Sequence, residues 1–96
     1  MSYEIVFRES AEKEWRKLEP TLRRQFVKKL KERAEVPHVP SAKLHHMHNC
    51  YKIKLTQLGY RLIYEVDDNR ILVTVVAVGK RERGRVYEKA PQRLGN

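Results

Sequence analysis

The sequence predicts an α/β chain of the α+β kind: an N-terminal strand, a two-helix hairpin, a three-stranded antiparallel meander, and a short C-terminal helix or tail. Three observations predict it. Apolar residues alternate near the N-terminus, recur at helical spacing as far as Ala34, and alternate again from Cys50 onward. Pro37 and Pro40 stand where the period changes, and each lacks a backbone donor and restricts the residue before it. The 96 residues fill one domain, 1–96. A chain of that length buries roughly 60 to 65% of its unfolded surface, which supports a small core and no second lobe.

Tyr3, Ile5 and Phe7 alternate with Glu4, Val6 and Arg8, as in a strand. Ser10 then suits an N-cap, with Glu12 and Glu14 complementing the helix dipole and Ala11, Trp15 and Leu18 on one stripe. That stripe makes Trp15 a core residue that holds the helix to the sheet. Pro20 is expected to end this helix and Thr21 to cap the next, whose apolar stripe is Leu22, Phe26, Leu30 and Ala34. An extended connector follows through Val36-Pro37-His38-Val39-Pro40.

Three strands come next: 50–55, 60–66, and a third running from Arg70 or Ile71 through Val78, with Asp67-Asp68-Asn69 as turn chemistry. Their short joins favour an antiparallel meander, with the first strand returning across the helices to lie beside it. The last strand is apolar on both sides, which suits a central strand covered on one face by the helices and partly on the other. The polar remainder, 81–96, reads as a loop with a short helix over 86–94, weakly anchored by Val86, Tyr87 and Leu94.

Strand alternation sends Lys52 and Lys54 out on the side opposite Tyr51, Ile53 and Leu55. If the loop is 56–59, Leu55 opposes Tyr60 and Lys54 opposes Arg61. Like charges facing across a sheet are destabilising, so an anion normally seated between them explains the arrangement. Lys and Arg number 21 against 12 acidic residues, a formal net charge of +9. That excess favours phosphate backbones as partners.

Cys50 is the one cysteine, so neither an internal disulfide nor a four-cysteine metal site is expected, and a reducing cytoplasm is the natural compartment. The N-terminus lacks the charged start and apolar run of a signal peptide, and no apolar run approaches the roughly 20 residues of a membrane span. His45, His46, His48 and Cys50 are ligand types for zinc. Their spacing does not define a convergent site, and no metal is expected.

Five blocks, Trp15-Arg16-Lys17-Leu18, Cys50-Tyr51-Lys52-Ile53-Lys54-Leu55, Gly59-Tyr60-Arg61-Leu62, Val78-Gly79-Lys80-Arg81-Glu82-Arg83 and Val86-Tyr87, resemble the signature blocks of the RelE toxins of bacterial type II toxin–antitoxin systems. The similarity runs in order over nearly the whole chain. It implies a compact microbial-ribonuclease-like fold with helices on one face of a four-stranded sheet. It also implies cleavage of mRNA in the A site of the 70S ribosome, and a RelB-like antitoxin that wraps and silences the toxin. No cofactor is implied, and contact with DNA is reached only through the antitoxin. Where the family usually carries a basic residue followed by glycine, this chain has His45-His46, so a phosphate contact at that loop does not carry over.

The chemistry of such an enzyme can be matched to residues. RNA brings its own nucleophile, the 2′-hydroxyl; the protein must move two protons and stabilise the extra charge of a pentavalent phosphorane. Lys52, Lys54, Arg61 and Arg81 suit charge stabilisation. Neither Glu nor His stands in this set, and crowding of cations disfavours an ammonium form, which makes Lys52 or Lys54 the candidate for proton transfer. The resemblance places Tyr87 at the active site, where its ring would stack on a base; read from the residues alone, it equally suits packing of a C-terminal helix. Arg23, Arg24, Lys28 and Lys31 on the second helix, with Lys80, Arg83 and Arg85, are candidates for RNA contact, the helix lying beside the active patch. The rival function is a non-catalytic basic module that binds ribosome or nucleic acid. A repressor acting alone lacks a helix-turn-helix pattern.

Overall fold

Strand β1 (Glu4–Phe7) pairs in parallel with β4 (Leu72–Lys80), from Glu4 opposite Leu72 to Phe7 opposite Val75. Antiparallel ladders join β4 to β3 (Tyr60–Asp67) and β3 to β2 (Cys50–Leu55), so the sheet order in this computed structural model is β1-β4-β3-β2. The structure describes residues 2–55, 59–80 and 85–94. The expected meander and returning first strand are both present, and β4 is central.

Helices α1 (Glu9–Arg16) and α2 (Pro20–Glu35) cover one face of the sheet. Ala11, Leu18, Leu22, Phe26 and Leu30 pack there against Tyr51, Ile53, Leu62, Tyr64, Val73 and Val75. Trp15 lies between Phe7 and Phe26, with ring centroids 5.1 and 6.2 Å away, the core role its stripe position predicts. Helix α3 (Arg85–Leu94) covers the other face through Val86 and Ala90, which meet Cys50, Ile63, Val76 and Ala77.

The helix boundaries differ from expectation in two places. Arg8, not Ser10, is the N-cap of α1, and it caps without a side-chain hydrogen bond. Pro20 opens α2 instead of ending α1, with Glu19 as its N-cap. A proline at the first helical position loses nothing, since that amide would have no intrahelical acceptor and the ring presets φ. The last strand begins at Leu72 because Ile71 adopts φ +57°, a left-handed conformation that a strand cannot include. The connector ends in a 3-10 turn, Pro40–Ala42. It is pinned where His38 bonds both the Tyr51 hydroxyl and Asp68, each at 2.8 Å, and where the Tyr64 hydroxyl donates to the Pro37 carbonyl.

A register shift between Ile63 and Tyr64 leaves Val76 without a partner on β3. Such a bulge turns consecutive residues to one face, and Val76 and Ala77 both pack under α3. Beyond Val75, β4 has no β1 neighbour. Side chains satisfy this unpaired rim: the Val78 amide donates to Glu14 at 3.1 Å, and Arg93 donates to the Val76 carbonyl at 2.8 Å.

Candidate active site

The β2–β3 ladder sets Lys54 opposite Arg61 and Leu55 opposite Tyr60, as the hairpin length predicts. Tyr51, Ile53 and Leu55 belong to the core under the helical hairpin. Alternation therefore turns Lys52, Lys54 and Arg61 to the other face, the face of Cys50 and Ile63. Opposed side chains of this kind have Cβ atoms about 4.5 to 5.5 Å apart.

Lys54 is exposed and Lys52 half-buried, whereas Arg61 is only 7% exposed. Its Nη1 donates to the Tyr60 carbonyl at 3.0 Å, and its buried Nε has no hydrogen-bond partner among the described residues. On its β4 side Arg61 faces Gly79, and a Cβ at Gly79 would lie 3.9 Å from Lys89 Nζ. A lysine of α3 therefore stands beside the patch. None of Lys52, Lys54 and Arg61 forms an ion pair among the described residues. A buried donor without an acceptor costs about 1 to 3 kcal/mol; Arg8 Nε is the other such donor among the described residues. The three cations thus share one face of the β2–β3 ladder, an arrangement whose charge and donor geometry suit an anionic group.

Tyr87 is half-buried and packs against the second core cluster, the packing role open to it from sequence. Helix α3 is held by more than its few apolar anchors. Lys89 and Arg93 both pair with Glu14 of α1 at 2.8 Å. Burial alone would raise the Glu14 carboxyl, yet hydrogen bonds from Arg93, Lys89 and the Val78 amide hold it below its ordinary value. The acidic residues of the first helical turn read only as dipole partners in sequence; nothing local signals that Glu14 reaches around the sheet edge to a helix 75 and 79 residues later.

Arg81 and Arg83 lie outside the described residues, as does the side chain of Arg85. Arg23, Arg24, Lys28 and Lys31 are not beside the patch, contrary to expectation. The buried stripe of α2 faces the sheet, so these residues point away from it and line a groove of about 830 Å³ with Trp15 and Val27. Arg23 also closes the end of α1 by donating to the Leu18 carbonyl at 2.7 Å. Lys80 sits 5.8 Å from the ring centroid of Tyr60, whose ring packs on the hairpin-side core, and so leaves the face of Arg61. His45, His46 and His48 are exposed while Cys50 is fully buried, its thiol pushed up to about 12 by burial. Among the described residues no group of three or more His, Cys, Asp or Glu could hold a metal ion.

Two basic residues that sequence reading passed over, Lys29 and Arg33, meet β2 at its outer edge, beyond the bridge between Lys43 and Tyr51. Arg33 Nη1 donates to the Lys52 carbonyl at 3.1 Å and to the Tyr64 hydroxyl at 2.9 Å. Burial pushes the Tyr64 phenol up, and Arg33 partly offsets the shift. The i, i+4 spacing of Lys29 and Arg33 is visible in the sequence; that α2 runs along the β2 edge is not.

Residues 5–85 match the family described as ParE toxin of type II toxin–antitoxin system, parDE. The mRNA interferase toxin RelE of Escherichia coli is 51% identical over 94 residues, spanning 98% of this chain and 99% of that protein. The structure of an arginine double mutant of E. coli toxin RelE in the free state superimposes with a TM-score of 0.91 at 49% identity, covering 98% of this chain and 99% of the other. The toxin of the intact E. coli RelBE toxin–antitoxin complex gives a TM-score of 0.83 at 51% identity, covering 85% and 100%.

Proposed function

The chain belongs to the RelE/ParE family of type II toxin–antitoxin toxins, and from that premise we propose that it is a cytoplasmic endoribonuclease that cuts mRNA in the A site of the translating ribosome. The RelE relative bears the name mRNA interferase toxin, and the RelBE complex joins such a toxin to its antitoxin. A RelB-like antitoxin is the partner that silences this chain.

The observation that carries the reading is Arg61, a buried guanidinium facing Lys54 with its Nε unpartnered. The 2′-hydroxyl attacks the adjacent phosphorus, the 5′ oxygen leaves, and a cyclic phosphate and a 5′-hydroxyl remain. Arg61 and Lys54 hold the charge that the non-bridging oxygens gain in the phosphorane, with Arg81 as a third donor. Lys52 or Lys54 moves the protons. No carboxylate or imidazole belongs to this set, so its proton transfer is weak and positioning of the mRNA by the ribosome supplies much of the rate. Tyr87 stacks on the displaced base. Inducing the chain in growing cells and mapping mRNA 5′ ends tests the reading: new ends in frame within translated regions support it, and arrested translation with intact mRNA points to the non-catalytic module instead.

A further inference from the structure

The outer edge of β2 carries a second cationic site. Lys29 and Arg33 of α2, Ser41 and Ala42 of the 3-10 turn, and Lys52, Ile53 and Lys54 of β2 line a pocket of about 230 Å³. Four of these seven side chains are cationic, one is a hydroxyl, and no carboxylate is among them. Arg33 is oriented from within, since one nitrogen, Nη1, serves both the Lys52 carbonyl and the Tyr64 hydroxyl. Its other guanidinium nitrogens have no partner among the described residues. The ring of Tyr64 lies beneath, 5.7 Å from the guanidinium carbon, and fixes the plane of the fork.

Among the described residues the pocket has no aromatic lining to stack a base, and only Ala42 and Ile53 to bury an apolar group. Its chemistry therefore fits an anionic group without a large apolar body. Lys52 and Lys54 belong both to this pocket and to the face that holds Arg61, so one polyanion can occupy both places at once. A polymer with a phosphate at every residue meets that condition.

The geometry points to a backbone-phosphate subsite formed by Lys29, Arg33 and Ser41, which carries bound RNA over the β2 edge, one or more nucleotides from the phosphate held by Arg61. This rests on the endoribonuclease reading and extends it, because it assigns the path of the substrate and three residues outside the catalytic patch. The larger groove on the hairpin does not serve this path, since the sheet separates it from Arg61.

Binding of a short 2′-O-methylated RNA, which lacks the attacking hydroxyl and stays intact, is measured by fluorescence anisotropy over a salt series. The proteins are the full wild-type chain, Lys29→Glu, Ser41→Glu and, as a charge-matched control, Lys13→Glu, with thermal melting to verify folding. Lys13 is exposed on α1 and, among the described residues, pairs only with Glu9. Lys29→Glu and Ser41→Glu should each weaken binding about tenfold at low salt, and Lys29→Glu should lower the slope of log affinity against log salt by about one. Lys13→Glu should stay within about twofold. Equal effects of Lys29→Glu and Lys13→Glu would overturn the subsite, as would a Lys29→Glu defect confined to an acidic peptide probe. Ribosomal mRNA cleavage by the wild-type chain is scored separately. Cutting with an unchanged Lys29→Glu slope removes the subsite and leaves the nuclease; a changed slope without any cutting does the reverse.

Discussion

Lys54 stands directly opposite Arg61 on one face of the β2–β3 ladder, with the Arg61 side chain buried and its Nε unpartnered. A pair of like charges so placed opposes folding. Its presence makes sense where the two share an anion, and the first prediction follows. Arg61→Met keeps the buried stem and removes the charge, so the thermal midpoint should stay level or rise. Cleavage of mRNA on the ribosome should fall about a hundredfold or more, as for loss of a transition-state donor. Single-turnover cleavage at the wild-type rate would remove Arg61 from the chemistry.

Glu14 joins α1 to α3. Glu14→Gln leaves Lys89 and Arg93 facing a neutral amide while the Val78 amide keeps an acceptor. Hydrogen bonds to charged groups contribute about 1.5 to 3 kcal/mol each, less where solvent reaches the pair. A loss of about 1 to 3 kcal/mol in urea unfolding is expected, with faster amide exchange in α3; an unchanged midpoint would contradict it.

The same carboxylate sets a pH dependence. Its folded value lies below its ordinary one, so the unfolded chain takes up the proton first as pH falls. The stabilisation is fully present above the unfolded value, near 4.3, and disappears as pH drops through the lowered folded value. Wild type should therefore lose its advantage over Glu14→Gln below about pH 4. A constant difference between the two down to strongly acidic pH would exclude this origin.

Ile71 holds φ +57° at the entry to β4 and is exposed. A left-handed conformation costs a β-branched residue about 1 to 2 kcal/mol, while asparagine tolerates it. Ile71→Asn should raise stability by about 1 kcal/mol. A lower melting midpoint would mean that the apolar contacts of Ile71 outweigh its strain.

Helix α3 contains Pro91, which has no N–H for the Tyr87 carbonyl four residues earlier. The turn that carries Tyr87 is thus weakened from within, and the helix is otherwise held by Val86, Ala90 and the Glu14 pairs. An antitoxin segment that is acidic and amphipathic would compete for the same apolar face and the same cations. Antitoxin binding should raise exchange in α3 or hold Tyr87 away from Arg81 and Lys54. Identical exchange of 52–61 and 85–94 in free and bound chains would mean that inhibition works by bulk alone.

Much of this architecture is legible in the residues. The change of apolar period at Pro37 and Pro40 separates the hairpin from the meander, and strand alternation alone puts Lys52, Lys54 and Arg61 together, because register and face are local properties. What is not legible is non-local. Pro20 reads as a terminator or an initiator until the neighbouring helix is in place, and Ile71 looks like any strand residue until its φ is known. The reach of Glu14 to Arg93, and of Arg33 to β2, depends on which helix flanks which sheet edge, which no single window of sequence contains.

On the proposed function, the Lys54–Arg61 patch cleaves RNA on the ribosome. Purified chain mixed with ribosomes programmed with a defined codon in the A site, against the same mRNA free in solution, tests it most directly. The expected result is a cut within the A-site codon leaving a 5′-hydroxyl and a cyclic phosphate, little cutting of free mRNA, and loss of the cut in Arg61→Met. Intact mRNA on stalled ribosomes, or equal cutting of free and ribosome-bound mRNA, would contradict it.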